Sequence, residues 1–154
     1  MSHFQHSLVI DANPAAVYAA LTTTPGMQAW WTADCEVSDE VGGPIRLHFG
    51  NTRKAMRIEQ LTPQRTVRWR CVAAHIDAAQ LQRRDEWVGT ELLFELSPQG
   101  AGQTRLDFSH FGLLPSLECY AMCRRGWHCF LSSLQSSLET GKGTPFALPA
   151  AIAA

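Results

Sequence analysis

The chain has 154 residues, of which 45% are hydrophobic and 18% are charged, and its net charge is −1. This length fits one domain that buries roughly 68–70% of its unfolded surface, and the composition is typical of a globular protein. The near-neutral charge and the lack of a basic patch argue against nucleic-acid binding. No apolar run reaches the roughly 20 residues that span a bilayer, so we expect no membrane insertion.

The N-terminal residues and the cysteines indicate a cellular compartment. Residues 1–10 alternate polar and apolar side chains, without the basic start and apolar block of a secretory signal peptide. The five cysteines are an odd number with no disulfide-like spacing, so we expect reduced thiols. Together these features predict a cytoplasmic protein.

The first 31 residues predict one strand followed by two short helices. Alternating apolar residues over 4–10 indicate a half-buried strand. Asn13 offers a capping oxygen and Pro14 the fixed φ of a first helical residue, so a short helix is predicted over 15–21. A second short helix is predicted from Pro25 and Gly26 to Trp30 and Trp31.

From about Ala33 to His110 the sequence predicts an antiparallel meander. Turn signals rich in glycine, proline and asparagine separate segments in which apolar and polar residues alternate. A polar connection is predicted over roughly 74–85. The residues with the inward phase are Ile45, Leu47, Phe49, Met56, Ile58, Val67, Trp69, Cys71, Thr90, Leu92, Phe94, Leu96, Leu106, Phe108 and His110.

The last long segment predicts a helix that covers the inward face of the sheet. After Pro115, Ser116 offers an N-cap and Glu118 places a carboxylate in the first turn, and Gly141 and Gly143 end the helix. Six residues of this helix lie within one arc of about 80°. They are Tyr120, Cys123, Trp127, Leu131, Leu134 and Leu138.

These elements predict an α+β helix-grip fold, in which a curved antiparallel sheet of about seven strands wraps around the long C-terminal helix. We assign residues 1–146 to a single domain and 147–154 to a C-terminal tail. A strongly twisted sheet cannot touch a straight helix along its whole length. We therefore expect a cavity between the sheet and the helix, where a small ligand would bind.

Short motifs spread over the whole chain carry a family resemblance. They are Ile10 to Tyr18 with Leu21 and Thr22, Trp30 and Trp31, Val41 to Gly43, Thr62 and Pro63, Thr104 to Leu106, His110 to Gly112, and Gly126 and Trp127 through Leu134 to the segment Gly141 to Phe146. In this order they resemble the START-like (SRPBCC) helix-grip superfamily, and within it the family named for the activator of the heat-shock-protein-90 ATPase homologue. The resemblance implies a small-molecule cavity under the long helix. Chaperone-activating members carry an additional N-terminal domain for which this chain has no room, which makes a chaperone partner doubtful.

Ten residues are predicted to contact a ligand in the cavity, because their phase or the resemblance places them on its walls. They are Trp30, Phe49, Met56, Trp69, Phe94, Phe108, His110, Tyr120, Trp127 and Leu131. An aromatic lining of this kind suits a ligand with a ring and one or two oxygens. Ordinary core packing is the alternative explanation.

Two histidines are candidates for chemistry. His110 has the inward phase on the last strand and His6 has it on the first, and these strands are neighbours in a helix-grip sheet. A neutral imidazole in a dry cavity can act as a general base or orient a ligand oxygen. In the alternative, each is a core-edge histidine bonded to a backbone carbonyl.

A metal site and a cofactor are not expected. Cys119 and Cys123 share one side of the last helix, whereas His128 and Cys129 lie about 120–140° away, and one tetrahedral ion cannot bridge opposite sides of a straight helix. Cys123 is expected to be a small core residue and Cys129 an exposed thiol. Gly126 costs the helix about 1 kcal/mol relative to alanine. Either a neighbouring element packs closely on it, or it bends the helix and sets the width of the cavity.

Three functions remain open. The leading hypothesis is a module that binds a small hydrophobic or aromatic molecule. One alternative is an enzyme of the cyclase or aromatase type with His110 as base. The other is a cochaperone-like interaction module, which would have an exposed apolar patch and a filled interior. A cavity below about 300 Å³ would exclude drug-sized ligands and favour the interaction module. A homodimer stays open.

Overall fold

The computed structural model describes residues 3–147, which form seven strands and three helices. The strands are β1 (Phe4–Ile10), β2 (Asp34–Val37), β3 (Pro44–Phe49), β4 (Thr52–Thr62), β5 (Thr66–His75), β6 (Glu91–Pro98) and β7 (Thr104–Phe111). The helices are α1 (Pro14–Thr22), α2 (Thr24–Trp30) and α3 (Tyr120–Thr140). Within 3–147 no helix combines the length and apolarity needed to cross a bilayer. Apart from Ala147, the predicted C-terminal tail lies outside the described residues.

All seven strands form one antiparallel sheet in the order β1-β7-β6-β5-β4-β3-β2. The first and last strands pair along their whole length, with Phe4 opposite His110 and Ile10 opposite Thr104. The inward residues predicted from alternation are buried, apart from the half-buried Phe49. The predicted α+β helix-grip fold is confirmed.

Helix α3 lies across the inward face of the sheet. Its Trp127 ring is 4.4 Å from that of Phe108 on β7, and its Phe130 ring is 5.8 Å from that of Phe49 on β3. The helix therefore reaches from one side of the sheet towards the other. Contacts with α1 and α2 complete the packing.

Local capping defines three of the helix ends, two of them as the sequence predicts. Asn13 Oδ1 accepts a hydrogen bond from the backbone N–H of Ala16 over 2.9 Å, at the start of α1. The helix α2 begins at Thr24, one residue earlier than predicted, because the Thr23 hydroxyl accepts from the backbone N–H of Gly26. Gly141 ends α3 in the left-handed conformation, with a φ of 80°.

The predicted start of α3 at Ser116 is wrong. The helix begins at Tyr120, and Cys119 at the N-cap position makes no side-chain capping bond. The reason is a carboxylate from another segment: Glu86 accepts hydrogen bonds from the backbone N–H groups of Glu118 and Cys119 over 3.3 and 3.1 Å. This distant acceptor holds the residues before the helix in turns.

The connection between β5 and β6 is not the polar loop that the sequence predicts. β5 continues to His75, and the connection that follows buries Ile76, Leu81 and Trp87. The Trp87 ring stacks at 5.9 Å on that of Trp127 of α3. Because these apolar residues are irregularly spaced, periodicity does not reveal that the loop packs against the helix.

Candidate functional site

A cavity of about 270 Å³ lies between α3, the ends of β3 and β4 near Gly50, and the β5–β6 connection. Its lining is mostly apolar and includes side chains from every element around it. The lining residues are Trp31, Phe49, Thr52, Lys54, Ile76, Trp87, Met122, Cys123, Gly126, Trp127, Phe130 and Phe146. Within residues 3–147, this is the cavity with the most aromatic lining.

Three tryptophan rings form the deep wall of the cavity. Trp127 lies between the other two, with ring centroids 5.2 Å from Trp31 and 5.9 Å from Trp87. All three are buried. Phe49 lies 6.0 Å from Trp31 and is half-buried, as are Phe130 and Phe146 near it. The rings therefore continue from a buried wall to a partly exposed rim.

Lys54 is the charged residue of the cavity wall. Its Nζ lies 3.5 Å from the centroid of the Trp87 ring and 5.3 Å from that of Phe49. Among residues 3–147 it forms no ion pair with a carboxylate. Burial lowers the pKa of the Lys54 ammonium, and the thiol of Cys123 acts against that shift. The arrangement places a basic group, without a carboxylate partner, among aromatic faces.

Cys123 brings a thiol to the same wall. The Trp87 indole N–H donates a hydrogen bond to Cys123 Sγ over 3.2 Å. A hydrogen bond from Cys119 lowers the pKa of Cys123 to about 7, and Lys54 and Trp87 act in the same direction. The same pairing raises the pKa of Cys119. The expectation that Cys123 is a buried residue and Cys129 an exposed thiol is confirmed.

Gly126 leaves open space in the cavity. A Cβ built on Gly126 would meet no atom of a neighbouring element within 4 Å. The expectation that another element packs closely on this glycine is therefore wrong. Since Gly126 lines the cavity, a side chain here would extend into it.

His110 lies in the core and has both ring nitrogens occupied. The Trp127 indole N–H donates to Nδ1 over 3.0 Å, and Nε2 is 2.9 Å from the Thr90 hydroxyl, which donates to the Trp87 carbonyl over 2.6 Å. Because an indole N–H can only donate, these partners assign the proton to Nε2. Burial lowers the pKa of His110 to about 3, so the ring is neutral near pH 7.

Neither predicted histidine lies on the cavity wall. His110 is fully buried and bonds to two side chains, not to a backbone carbonyl as in the alternative interpretation. The His6 ring packs edge-on against His128, 4.9 Å away, on the far side of α3 from the cavity. The general-base hypothesis thus finds no histidine where a ligand would lie.

Of the ten predicted ligand-binding residues, Phe49 and Trp127 line the cavity. Tyr120 is half-buried on another part of α3. The other seven belong to the packed core: Trp30, Met56, Trp69, Phe94, Phe108, His110 and Leu131. The Phe94 ring centroid lies 4.9 Å from that of Trp69 and 4.8 Å from that of Phe108. The Phe108 ring in turn lies 4.4 Å from that of Trp127. The sheet and helix are in direct contact there, so the cavity lies beside this core.

Several lining residues were not among the predicted ones. Lys54 has the same phase as Met56 and Ile58, and alternation alone could have found it. Trp31 takes the wall position predicted for its neighbour Trp30, whose indole N–H donates to the Ala20 carbonyl over 2.8 Å. The remaining wall and rim residues carry no periodic signal, since they come from loops and chain ends; Trp87 and Phe146 are examples.

The four residues weighed as metal ligands lie apart. Cys119 and Cys123 are buried free thiols, whereas Cys129 is exposed and His128 packs against Phe4 and His6. In the described part of the chain, no group of three or more histidine, cysteine or acidic side chains has the arrangement of a metal site.

Comparison with known proteins gives a family and related structures. The family model described as "Activator of Hsp90 ATPase homolog 1-like protein" matches residues 11–139. The solution structure of the Aha1 dimer from Colwellia psychrerythraea is 33% identical, covering 93% of this chain and all of that one, with a TM-score of 0.76. No protein with curated annotation matches the chain.

Two more distant structures share the fold. A crystal structure from Chromobacterium violaceum is 20% identical, with 90% of this chain and 99% of that chain covered and a TM-score of 0.67. A conserved protein of unknown function from Enterococcus faecalis is 19% identical over 96% of this chain and 77% of its own, with a TM-score of 0.66. At these identities the likeness extends to the fold alone.

Proposed function

The chain belongs to the family of activator of Hsp90 ATPase homolog 1-like proteins, and we propose that it binds a small hydrophobic or aromatic molecule in the cavity beneath α3. The observation that carries the proposal is the lining. Three buried tryptophans and three half-buried phenylalanines surround open space that the helix leaves free at Gly126. Concave sites with apolar walls and few polar groups are where proteins bind small ligands.

The volume of the cavity limits the size of the ligand. At about 270 Å³ it is slightly below the roughly 300–1,000 Å³ of pockets for drug-sized molecules. It suits a molecule of one or two rings. A longer ligand could extend out of the cavity past the half-buried rim at Met122, Phe130 and Phe146.

The surroundings of Gly126 favour a role in ligand binding over a purely structural role. A glycine inside a helix costs about 1 kcal/mol relative to alanine. No neighbouring atom requires its small size, because an added Cβ would meet nothing within 4 Å. What the glycine provides is cavity volume next to the Trp127 ring.

The structure supports the other two candidate functions less well. A cyclase or aromatase using His110 would need that ring at the cavity, whereas both its nitrogens bond to Trp127 and Thr90 in the core. The cavity of about 270 Å³ is below the limit of roughly 300 Å³ for drug-sized ligands, and on that criterion the cochaperone-like module gains. Its interior is not filled, however, and open space among aromatic side chains favours the binding of a smaller molecule. We therefore propose a binding module, for which a homodimer stays open.

Native mass spectrometry of the freshly purified protein tests this proposal. We expect a co-purified small molecule on the wild type and its loss in Gly126→Leu, whose side chain would fill the cavity without breaking the helix. Thermal melting confirms that the variant is folded. A wild type that carries no small molecule and takes up none from a set of one- and two-ring aromatic compounds would contradict it.

A further inference from the structure

We propose that Lys54 binds an acidic group of the ligand, so that the cavity takes small aromatic carboxylates in preference to neutral compounds of the same shape. This inference rests on the proposed function and names the ligand class. It follows from the placement of one ammonium group in an otherwise apolar wall.

The ammonium of Lys54 lacks a carboxylate partner. Among residues 3–147, no carboxylate pairs with it. The acidic side chain nearest in sequence to its aromatic neighbour Trp87 is Glu86, and that carboxylate accepts the backbone N–H groups of Glu118 and Cys119 instead. The ionisable groups that act on Lys54 are the thiols of Cys123, Cys71 and Cys119.

Aromatic faces compensate the ammonium only in part. Removing a charge from water is unfavourable, and a cation over an aromatic ring regains only part of that free energy. The Nζ lies 3.5 Å from the Trp87 centroid, and Phe49 is 5.3 Å away. A carboxylate placed in the cavity would supply the missing charge and accept charge-assisted hydrogen bonds from Nζ.

Thr52 provides a second donor on the same strand face. It lines the cavity two residues before Lys54. Its Oγ1 accepts a hydrogen bond from the backbone N–H of Asp77 over 2.9 Å, which leaves the hydroxyl proton free to donate. An ammonium packed beside the Trp87 ring and a hydroxyl proton on the same strand face suit a planar acid whose ring lies against the aromatic residues of the wall.

Cys123 is the competing partner for Lys54. Its thiol lines the same cavity, and as a thiolate it would neutralise the ammonium without any ligand. The variant Cys123→Ser removes that competitor, because a serine hydroxyl does not ionise near neutral pH. If Lys54 serves a ligand, acid binding survives this change.

The test compares matched acids and amides by isothermal titration calorimetry at pH 7. The probes are benzoate and 2-naphthoate, each against its amide. We expect the wild type to bind the better-fitting acid at least 10-fold more tightly than its amide. Lys54→Met should remove that preference, so that each acid binds no more tightly than its amide. Lys54→Arg and Cys123→Ser should keep the preference.

The outcomes separate the two proposals. If acids and amides bind equally and Lys54→Met changes neither, the role of Lys54 is overturned while ligand binding in the cavity stands. If acid preference disappears in Cys123→Ser, the thiol and not the ammonium governs it, which also overturns the inference. If the wild type binds none of the four probes, both proposals fail together.

Discussion

The indole N–H of Trp127 donates a 3.0 Å hydrogen bond to Nδ1 of His110, and this bond links the cavity wall to the core of the sheet. One edge of Trp127 faces the cavity and its N–H is held by a fully buried histidine. Beyond it, His110 bonds to Thr90, and Thr90 to the carbonyl of Trp87. Two of the three tryptophans of the wall, Trp127 and Trp87, are therefore positioned by one chain of hydrogen bonds.

The burial of His110 within these hydrogen bonds predicts that the stability of the protein depends on pH. The pKa of His110 is 6.5 in an unfolded chain and about 3 in the folded protein. Between these values the unfolded state binds the proton and the folded state does not, so the contribution of His110 is complete above pH 6.5 and is lost as the pH falls towards 3. We expect a slope on the order of 1 kcal/mol per pH unit in this window.

Urea denaturation at several pH values between 7 and 4 measures this slope. His110→Gln keeps a hydrogen-bonding side chain but does not titrate, so its stability should fall less steeply, whatever its absolute value. Identical slopes for the two proteins would show that His110 is not buried as a neutral ring.

Gly126→Ala should raise the stability of the protein by about 1 kcal/mol, because alanine favours the helix and its Cβ meets no neighbour. The same methyl group should weaken ligand uptake by narrowing the cavity. Gly143→Ala is the matched control and should destabilise, since its Cβ would lie 2.4 Å from the Ala29 carbonyl oxygen. Chemical denaturation checks both, and a destabilised Gly126→Ala would refute the open space assigned to that position.

Glu86→Ala should lower the free energy of unfolding by about 1–2 kcal/mol, because two backbone N–H groups ahead of α3 lose a charged acceptor. The neighbouring Asp85→Ala removes only an exposed ion pair with Arg83 and should change stability by less than about 0.5 kcal/mol. Equal effects of the two substitutions would show that Glu86 does not hold the start of the helix.

Alkylation of Cys123 should become faster as the pH rises through about 7, where its thiolate forms. Iodoacetamide labelling followed by mass spectrometry measures it, in a Cys129→Ser background that removes the exposed thiol. Lys54→Met should move the profile to higher pH, because one group that lowers the Cys123 pKa is gone. A profile that does not respond to Lys54→Met would mean that the two side chains do not interact.

Periodic patterns in the sequence predicted the fold and the inward residues of the strands, because alternation and capping act within a few residues of the chain. Phe49 and Trp127 have the inward phase and line the cavity, but the same phase also marks core residues such as Trp69 and Phe94. The position of the cavity along α3 was not predictable in this way. It depends on where the core rings already fill the space, as Trp69 and Phe94 do.

Long-range contacts account for the remaining differences. The start of α3 depends on Glu86, more than 30 residues away, whereas Ser116 gave a local capping signal that the fold does not use. Trp87 reaches the wall from a loop, where no repeat marks its direction. Lys54 had the inward phase, but a lysine in that position is easily assigned to the edge of a strand.

The most direct test of the ligand site is a ¹H–¹⁵N spectrum of the five tryptophan indole groups during titration with 2-naphthol. Trp31, Trp87 and Trp127 line the cavity, whereas Trp30 and Trp69 are buried in the core. We predict that the indole signals of Trp31, Trp87 and Trp127 shift during the titration and reach saturation together. The signals of the two core tryptophans should change little. Shifts confined to Trp30 and Trp69, or no saturable shift of any indole for 2-naphthol and similar one- and two-ring compounds, would contradict a ligand site beneath α3.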